Sequence, residues 1–271
     1  MEFGLSFLTV PEADPVAAIE IAAQTGYSYV GLRLVPATPA EQPYPLLTDK
    51  KIMRDVNNSI KATGVKVLDI ELVRIDEFYD RTSNLRLLDT AAEIGASVIN
   101  VCCNEWDESL LNDRFIEFCQ DAAPFGLSCD IEFLPWSALK NVKQTQRFLQ
   151  KVNQPNAALM IDSLHWDRSD TSLAEIKSLP PELMNYVQVC DALKAYDPHT
   201  DELLRVARTE RLMPGDGELD LRGFLSLFPT NKPLCLEVPN PTLYGAIPLK
   251  QRAELALQKL KAILNQEAGH E

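Results

Sequence analysis

The chain has 271 residues, 46% hydrophobic and 24% charged, the make-up of a folded protein with a sizeable core and the length of one domain or two. Its formal net charge of −13 argues against a nucleic-acid backbone or an anionic membrane surface as partner. No apolar run approaches the ~18 residues of a membrane helix, and none of the six cysteines forms the C-x-x-C of a zinc knuckle or redox pair.

The N-terminus passes straight into Phe3-Gly4-Leu5-Ser6-Phe7-Leu8, with no basic segment or small-residue cleavage site, so a cytoplasmic protein is expected. A first strand is predicted at Glu2–Leu5. The helix after it has Asp14 as a cap, Pro15 at its first position, and Val16, Ile19 and Ala23 on one face. Strand Tyr29–Leu32 leads into the proline-rich stretch Pro36–Leu47, readable as a lid or as a rim. Thr48 can cap the next helix, where Ile52, Val56 and Ile60 recur every four residues.

Further strands are expected at Val65–Ile70, Ser97–Cys102, Leu127–Phe133, Ala158–Asp162, Tyr186–Cys190 and Leu234–Val238. Most are β-branched or continuously apolar, as strands covered on both faces should be. Cys102, Cys129, Cys190 and Cys235 lie inside these runs as small buried hydrophobes. Gly26, Gly64, Gly95 and Gly126 each stand where a helix must close before the next strand. Ala253, Leu257, Leu260 and Leu264 mark the buried face of the last helix. This sustained alternation, without a Gly-x-Gly-x-x-Gly turn, predicts an α/β fold: a single (β/α)₈ TIM barrel spanning 1–271 rather than a doubly wound open sheet.

In such a barrel the active site lies at the C-terminal ends of the strands. Strand five ends in Ile131-Glu132, strand six in Ile161-Asp162, strand seven carries Gln188, and strand eight ends in Leu236-Glu237. A charge inside an apolar run is costly unless paired or bound to a cation. One strand-end acid alone reads as a helix cap or salt-bridge partner. Four oxygen donors at equivalent positions read as one metal site, and oxygen-only ligation favours Mn²⁺ or Mg²⁺ over Zn²⁺. His165 should lie just above this ring and hydrogen-bond a substrate oxygen. It is one of three histidines; His199 and His270 read as loop and tail residues. Arg208 and Arg211, before Gly215-Asp216-Gly217, can clamp an anionic or hydroxyl-rich substrate, with pairing to nearby acids as the alternative, stronger for Arg205. Glu71 and Arg33 reach the pocket rim or pair with each other. Trp136 and Trp166 wall the pocket or only pack loops.

With these residues the chain resembles the xylose isomerase-like superfamily of sugar isomerases and epimerases. The pieces that carry the likeness are Ile131-Glu132, Ile161-Asp162 with His165, Gln188 through Asp191, Arg208 through Gly217, and Leu236-Glu237-Val238. The resemblance implies that Glu132, Asp162, Gln188 and Glu237 hold one divalent metal. From the ketose-epimerase branch it implies that Glu132 and Glu237 are also the catalytic acid/base pair. Many members carry histidine where this chain has Gln188, whereas the hydroxypyruvate isomerase branch uses glutamine there. The DNA-repair endonuclease branch needs several histidines around zinc and is disfavoured by three histidines and the −13 charge.

The activity expected is a metal-dependent isomerisation or epimerisation of a small sugar or hydroxy-keto compound through an enediolate, with Glu132 and Glu237 moving the proton. The same site suits a dehydratase, as in the inosose and dehydroshikimate branches, or a sugar-binding barrel without catalysis. Many relatives are dimers or tetramers, so the resemblance is compatible with a homo-oligomer.

Overall fold

Asp14 caps the first helix as its position suggests, accepting the Ala17 N–H at 2.9 Å, and Pro15 fills the first turn. The second helix is capped by Asp49, not Thr48: the Asp49 carboxylate takes the Lys51 and Ile52 N–H groups, and the Thr48 hydroxyl turns back to Pro45 O. Gly26, Gly64, Gly95 and Gly126 all take left-handed φ values between 72° and 88° where their helices end.

The computed structural model describes residues 1–37, 41 and 44–265. Part of the Pro36–Leu47 stretch, and His270, lie outside the described residues. The strands are β1 (Phe3–Leu5), β2 (Tyr29–Leu32), β3 (Lys66–Ile75), β4 (Val98–Cys103), β5 (Ser128–Glu132), β6 (Ala157–Asp162), β7 (Val187–Val189) and β8 (Leu234–Leu236). Each pairs in parallel with the next, and β1 closes on β8 through Phe3 and Leu234, so the sheet is an eight-stranded closed barrel. The helices are α1 (Pro15–Thr25), α2 (Lys50–Thr63), α3 (Arg81–Glu93), α4 (Glu108–Ala122), α5 (Val142–Val152) and α6 (Ser163–Arg168). The second half adds α7 (Leu173–Lys177), α8 (Thr200–Thr209), α9 (Leu221–Leu225), α10 (Pro241–Ala246) and α11 (Leu249–Asn265).

The core lies between strands and helices: Val30, Ile99 and Ile131 pack outward against helix residues such as Ile19, Phe115 and Leu257. Each such side chain contributes about 1.5–3 kcal/mol by leaving water. A smaller apolar cluster of Leu68, Val98, Met160, Tyr186 and Cys235 fills the barrel interior. All six cysteines are free and buried. Among the described residues no helix is long and apolar enough to cross a membrane.

Strands β4 and β5 end within one residue of expectation, and three other strand ends differ in ways that shape the C-terminal face. β3 continues to Ile75 because Val73, Arg74 and Ile75 find register partners in Val101, Cys102 and Cys103, so Glu71 lies within the strand rather than past its end. β7 stops at Val189 because the Cys190 N–H turns to Ser163 Oγ at 2.9 Å and Asp191 bridges to Leu212. β8 stops at Leu236, leaving Glu237 just beyond it, and the Val238 N–H goes to Thr9 Oγ1 at 2.9 Å.

Candidate metal and substrate site

Parallel strands bring all their C-terminal ends to one face, and the register aligns Asp162 beside Gln188. There Glu132, Asp162 and Glu237 each offer a carboxylate oxygen within 4.8 Å of the others, and all three residues are buried. Gln188 completes the ring: its amide N–H donates to Glu237 Oε1 at 3.2 Å, and its Oε1, also buried, has no partner. Asp162 also caps α6, accepting the Leu164 and His165 N–H groups at 2.7 and 3.1 Å.

Arg211 enters this ring directly. Its Nη1 lies 2.6 Å from Asp162 Oδ2 and 2.9 Å from Glu237 Oε2. Burial opposes ionisation at Asp162, but Arg211 and His165 outweigh it and hold this carboxyl below its usual range. At Glu237 burial prevails, and the carboxyl sits well above the usual range despite Arg211. One guanidinium cannot balance three buried carboxylates, and the Gln188 oxygen has no donor. Both features fit a divalent cation with oxygen ligands.

Around the ring is a cavity of about 260 Å³. Its lining includes Asn100 and Trp136 together with Glu71, Glu132, His165, Arg208, Arg211 and Glu237, six of the eight site residues singled out from sequence; Asp162 and Gln188 belong to the ring but do not line the cavity. His165 Nε2 is 3.3 Å from Glu132 Oε1, the Trp136 ring stands edge-on to the imidazole at 5.2 Å, and the other ring nitrogen is buried and unpaired. Arg208 is exposed and has no ion-pair partner among the described residues. Glu71 and Arg33 do both things their positions allowed. They pair with each other at 3.4 Å, Arg33 also binds Glu41 at 2.7 Å, and both line the cavity. Burial, with Asp69 nearby, pushes Glu71 up to about 8.

Other candidates fall outside. Trp166 stacks on Phe224 at 4.8 Å and packs loops. Arg205 pairs with Glu202 at 2.8 Å and with Glu210. The Gly215–Gly217 turn does not touch the cavity; Asp191 grips it, accepting the Gly215 N–H at 2.9 Å and the Leu219 N–H at 3.1 Å. Gly217 is required there, since a Cβ would meet Ala192 O at 2.5 Å. The motif therefore shapes a strap that follows Arg211 and lies outside the cavity. Sequence reading missed Asn100, whose Nδ2 donates to Glu132 Oε2 at 3.1 Å. The signal was present: one amide amid Val98-Ile99-Asn100-Val101, the same embedded-polar pattern that marked the acids.

A (β/α)₈ barrel with an oxygen-donor ring at its C-terminal face is the class that fold and site define. The family model for xylose isomerase-like TIM barrels matches residues 19–263, and the chain belongs to that family. Two curated proteins called 3-dehydroshikimate dehydratase are similar to it. The one from Pseudomonas aeruginosa is 32% identical over 185 residues, covering 65% of this chain and 28% of the relative. The one from Pseudomonas putida is 29% identical over 197 residues, covering 69% and 30%. The chain thus spans less than a third of the length of these relatives. A crystal structure of IolI protein with a bound zinc atom shares the fold: TM-score 0.81 at 18% identity, covering 98% of this chain and 99% of that one.

Proposed function

We propose that this barrel is a divalent-cation-dependent lyase that removes water from a small cyclic hydroxy-ketone bearing a carboxylate, of the dehydroshikimate type. The observation that carries the reading is the 32% identity over 185 residues to a 3-dehydroshikimate dehydratase. The site supports it: two buried glutamates converge on one cavity, and Arg208, with no ion-pair partner among the described residues, stands at its edge. This places the dehydratase ahead of the isomerase or epimerase suggested by residue pattern alone.

Glu132, Asp162, Gln188 and Glu237 would hold the cation. When bound it supplies the positive charge that makes a proton beside a carbonyl acidic enough to remove. Hard oxygen donors favour Mg²⁺ or Mn²⁺, while the zinc in IolI keeps zinc a candidate to be tested alongside them. Glu132, steadied by Asn100 and His165, takes that proton. Glu237, acting in its protonated form, gives a proton to the departing β-hydroxyl, so the C–O bond breaks as the ring double bond forms and the leaving group is water; a proton passing from Glu132 to Glu237 then resets the pair. Arg208 receives the substrate carboxylate, and Leu72, Leu134 and Trp136 wall the reacting atoms from bulk solvent.

The test is to mix Mg²⁺-, Mn²⁺- or Zn²⁺-loaded protein with 3-dehydroshikimate and record the ultraviolet spectrum and proton NMR in D₂O. Growth of an aromatic dihydroxybenzoate is expected. Exchange of the proton beside the carbonyl without loss of water would replace the lyase by an isomerase or epimerase, which needs the same two glutamates. Full turnover after exhaustive chelation would overturn the role of the cation.

A further inference from the structure

Asn100 stands on β4, 2% exposed, with its flanking residues Ile99 and Val101 in the outer core. Its Nδ2 donates to Glu132 Oε2 at 3.1 Å. The amide thus faces the carboxyl with its NH₂, and this fixes where its carbonyl oxygen points. That oxygen, Oδ1, is buried without a partner, and Asn100 lines the cavity. A buried carbonyl left without a donor is destabilising, a cost that valine at this position would not carry.

Glu132 is therefore held from two sides. Oε2 faces the Asn100 amide and, at 3.8 Å, the Cys102 thiol; Oε1 faces His165 Nε2 at 3.3 Å. Of the three polar atoms around the ring without a partner among the described residues, Gln188 Oε1 suits a cation and His165 Nδ1 belongs to a ring already expected to meet substrate. Asn100 Oδ1 has no such assignment.

We propose that Asn100 is a positioning and specificity residue: its amide sets the Glu132 carboxylate for proton removal, and its Oδ1 accepts a hydrogen bond from a substrate hydroxyl. The inference rests on Glu132 acting as the base of the proposed reaction. It adds a requirement on the substrate, a hydroxyl beside the carbon that loses its proton. Sites built to bind a hydroxyl discriminate strongly against analogues lacking it, because the buried acceptor is then left unpaired.

Two variants separate the two ends of the amide. Asn100→Asp keeps an acceptor but replaces the donor by a second carboxyl beside Glu132. Asn100→Leu removes both at similar volume. With Mg²⁺-loaded protein and 3-dehydroshikimate, Asn100→Asp should lose about 100-fold in kcat with KM within about three-fold. Asn100→Leu should lose kcat similarly and also raise KM about ten-fold. Calorimetric Mn²⁺ affinity should stay within about three-fold of wild type in the leucine variant, whose site keeps the four oxygen donors intact. Wild-type kcat and KM in both variants would overturn the proposal, as would a kcat loss with the same KM in both. A large drop in Mn²⁺ affinity for Asn100→Leu would overturn it too, making Asn100 a ligand. Glu132→Gln is the control that distinguishes the failures. If that variant stays fully active, the proposed function falls and this inference with it; if it is inactive while both Asn100 variants behave as wild type, only Asn100 loses its role.

Discussion

The barrel interior holds two sets of buried acids, and they are treated differently. Toward the N-terminal ends of the strands, Asp69 accepts the Tyr186 hydroxyl at 2.7 Å, and Asp130 accepts the Asn185 amide at 2.9 and 3.0 Å along with Ser128. Their donors are neutral, and burial pushes Asp69 to about 7 and Asp130 to about 6. None of these five residues has an unpaired buried side-chain atom. At the C-terminal ends, Glu132, Asp162 and Glu237 meet Arg211 and His165, and Asn100, His165 and Gln188 are left with unpaired atoms. A buried acid alone therefore does not mark a site; a buried acid among incompletely satisfied partners does.

The variant that breaks this comparison most sharply is Glu132→Gln. Exchanging an upper carboxylate for its amide should lower kcat by about 10³-fold, in the range for loss of a general base, while thermal unfolding followed by circular dichroism changes little. Retained turnover would mean that the upper ring is no more catalytic than the lower layer.

The next effect falls on the strap that follows Arg211. Gly217→Ala places a Cβ against Ala192 O at 2.5 Å and Ala192 N at 2.7 Å, backbone atoms that cannot rotate away. The expected loss is about 2–3 kcal/mol in urea unfolding. A neutral result would show that the Asp191-held turn is looser than its hydrogen bonds imply.

The lower layer makes the opposite prediction. A carboxyl raised in the folded state contributes stability that is full below about pH 4, the unfolded value, and is lost as pH climbs through about 7 for Asp69. Asp69→Asn keeps an acceptor for Tyr186 and removes that loss. It should raise Tm at pH 8 by on the order of 5 °C, do far less at pH 4, and leave kcat unchanged. A melting curve at pH 8 no higher than wild type would mean that Asp69 is ionised and well solvated in the fold.

The periodicity of apolar runs made the barrel legible because each β/α unit repeats one physical solution, a buried parallel strand covered by a helix. The convergence of Glu132, Asp162, Gln188 and Glu237 was legible because a polar group inside an apolar strand has few explanations. Asp69 and Asp130 show the limit of that rule, since sequence does not say which way along the barrel a donor such as Tyr186 or Asn185 will reach. Arg211 was read as a clamp for substrate, and its insertion between Asp162 and Glu237 depends on the path of a loop held by Asp191 and Asn240, which donates to the Arg211 carbonyl at 3.0 Å. Those contacts span tens of residues, and no local pattern encodes them. Asn100 was missed for another reason: an amide carries no charge, so its burial drew less notice than that of an acid.

The smallest effect separates two arginines one helical turn apart on α8. Arg208 lines the cavity without a described ion-pair partner, whereas Arg205 is engaged with Glu202 and Glu210 on the exposed face. If the substrate carries a carboxylate, Arg208→Gln should raise KM about ten-fold with little change in kcat, because the contact is equally present before and during the reaction. Arg205→Gln should change neither constant, since an exposed pair of this kind contributes roughly 0–1 kcal/mol to stability and nothing to the cavity. Raising salt should weaken substrate binding in wild type and less in Arg208→Gln, as expected when a solvent-facing cation recruits an anion. Equal KM values in the two variants would place the carboxylate elsewhere, with Arg33, Arg74 and Arg211 as the other arginines of the cavity wall.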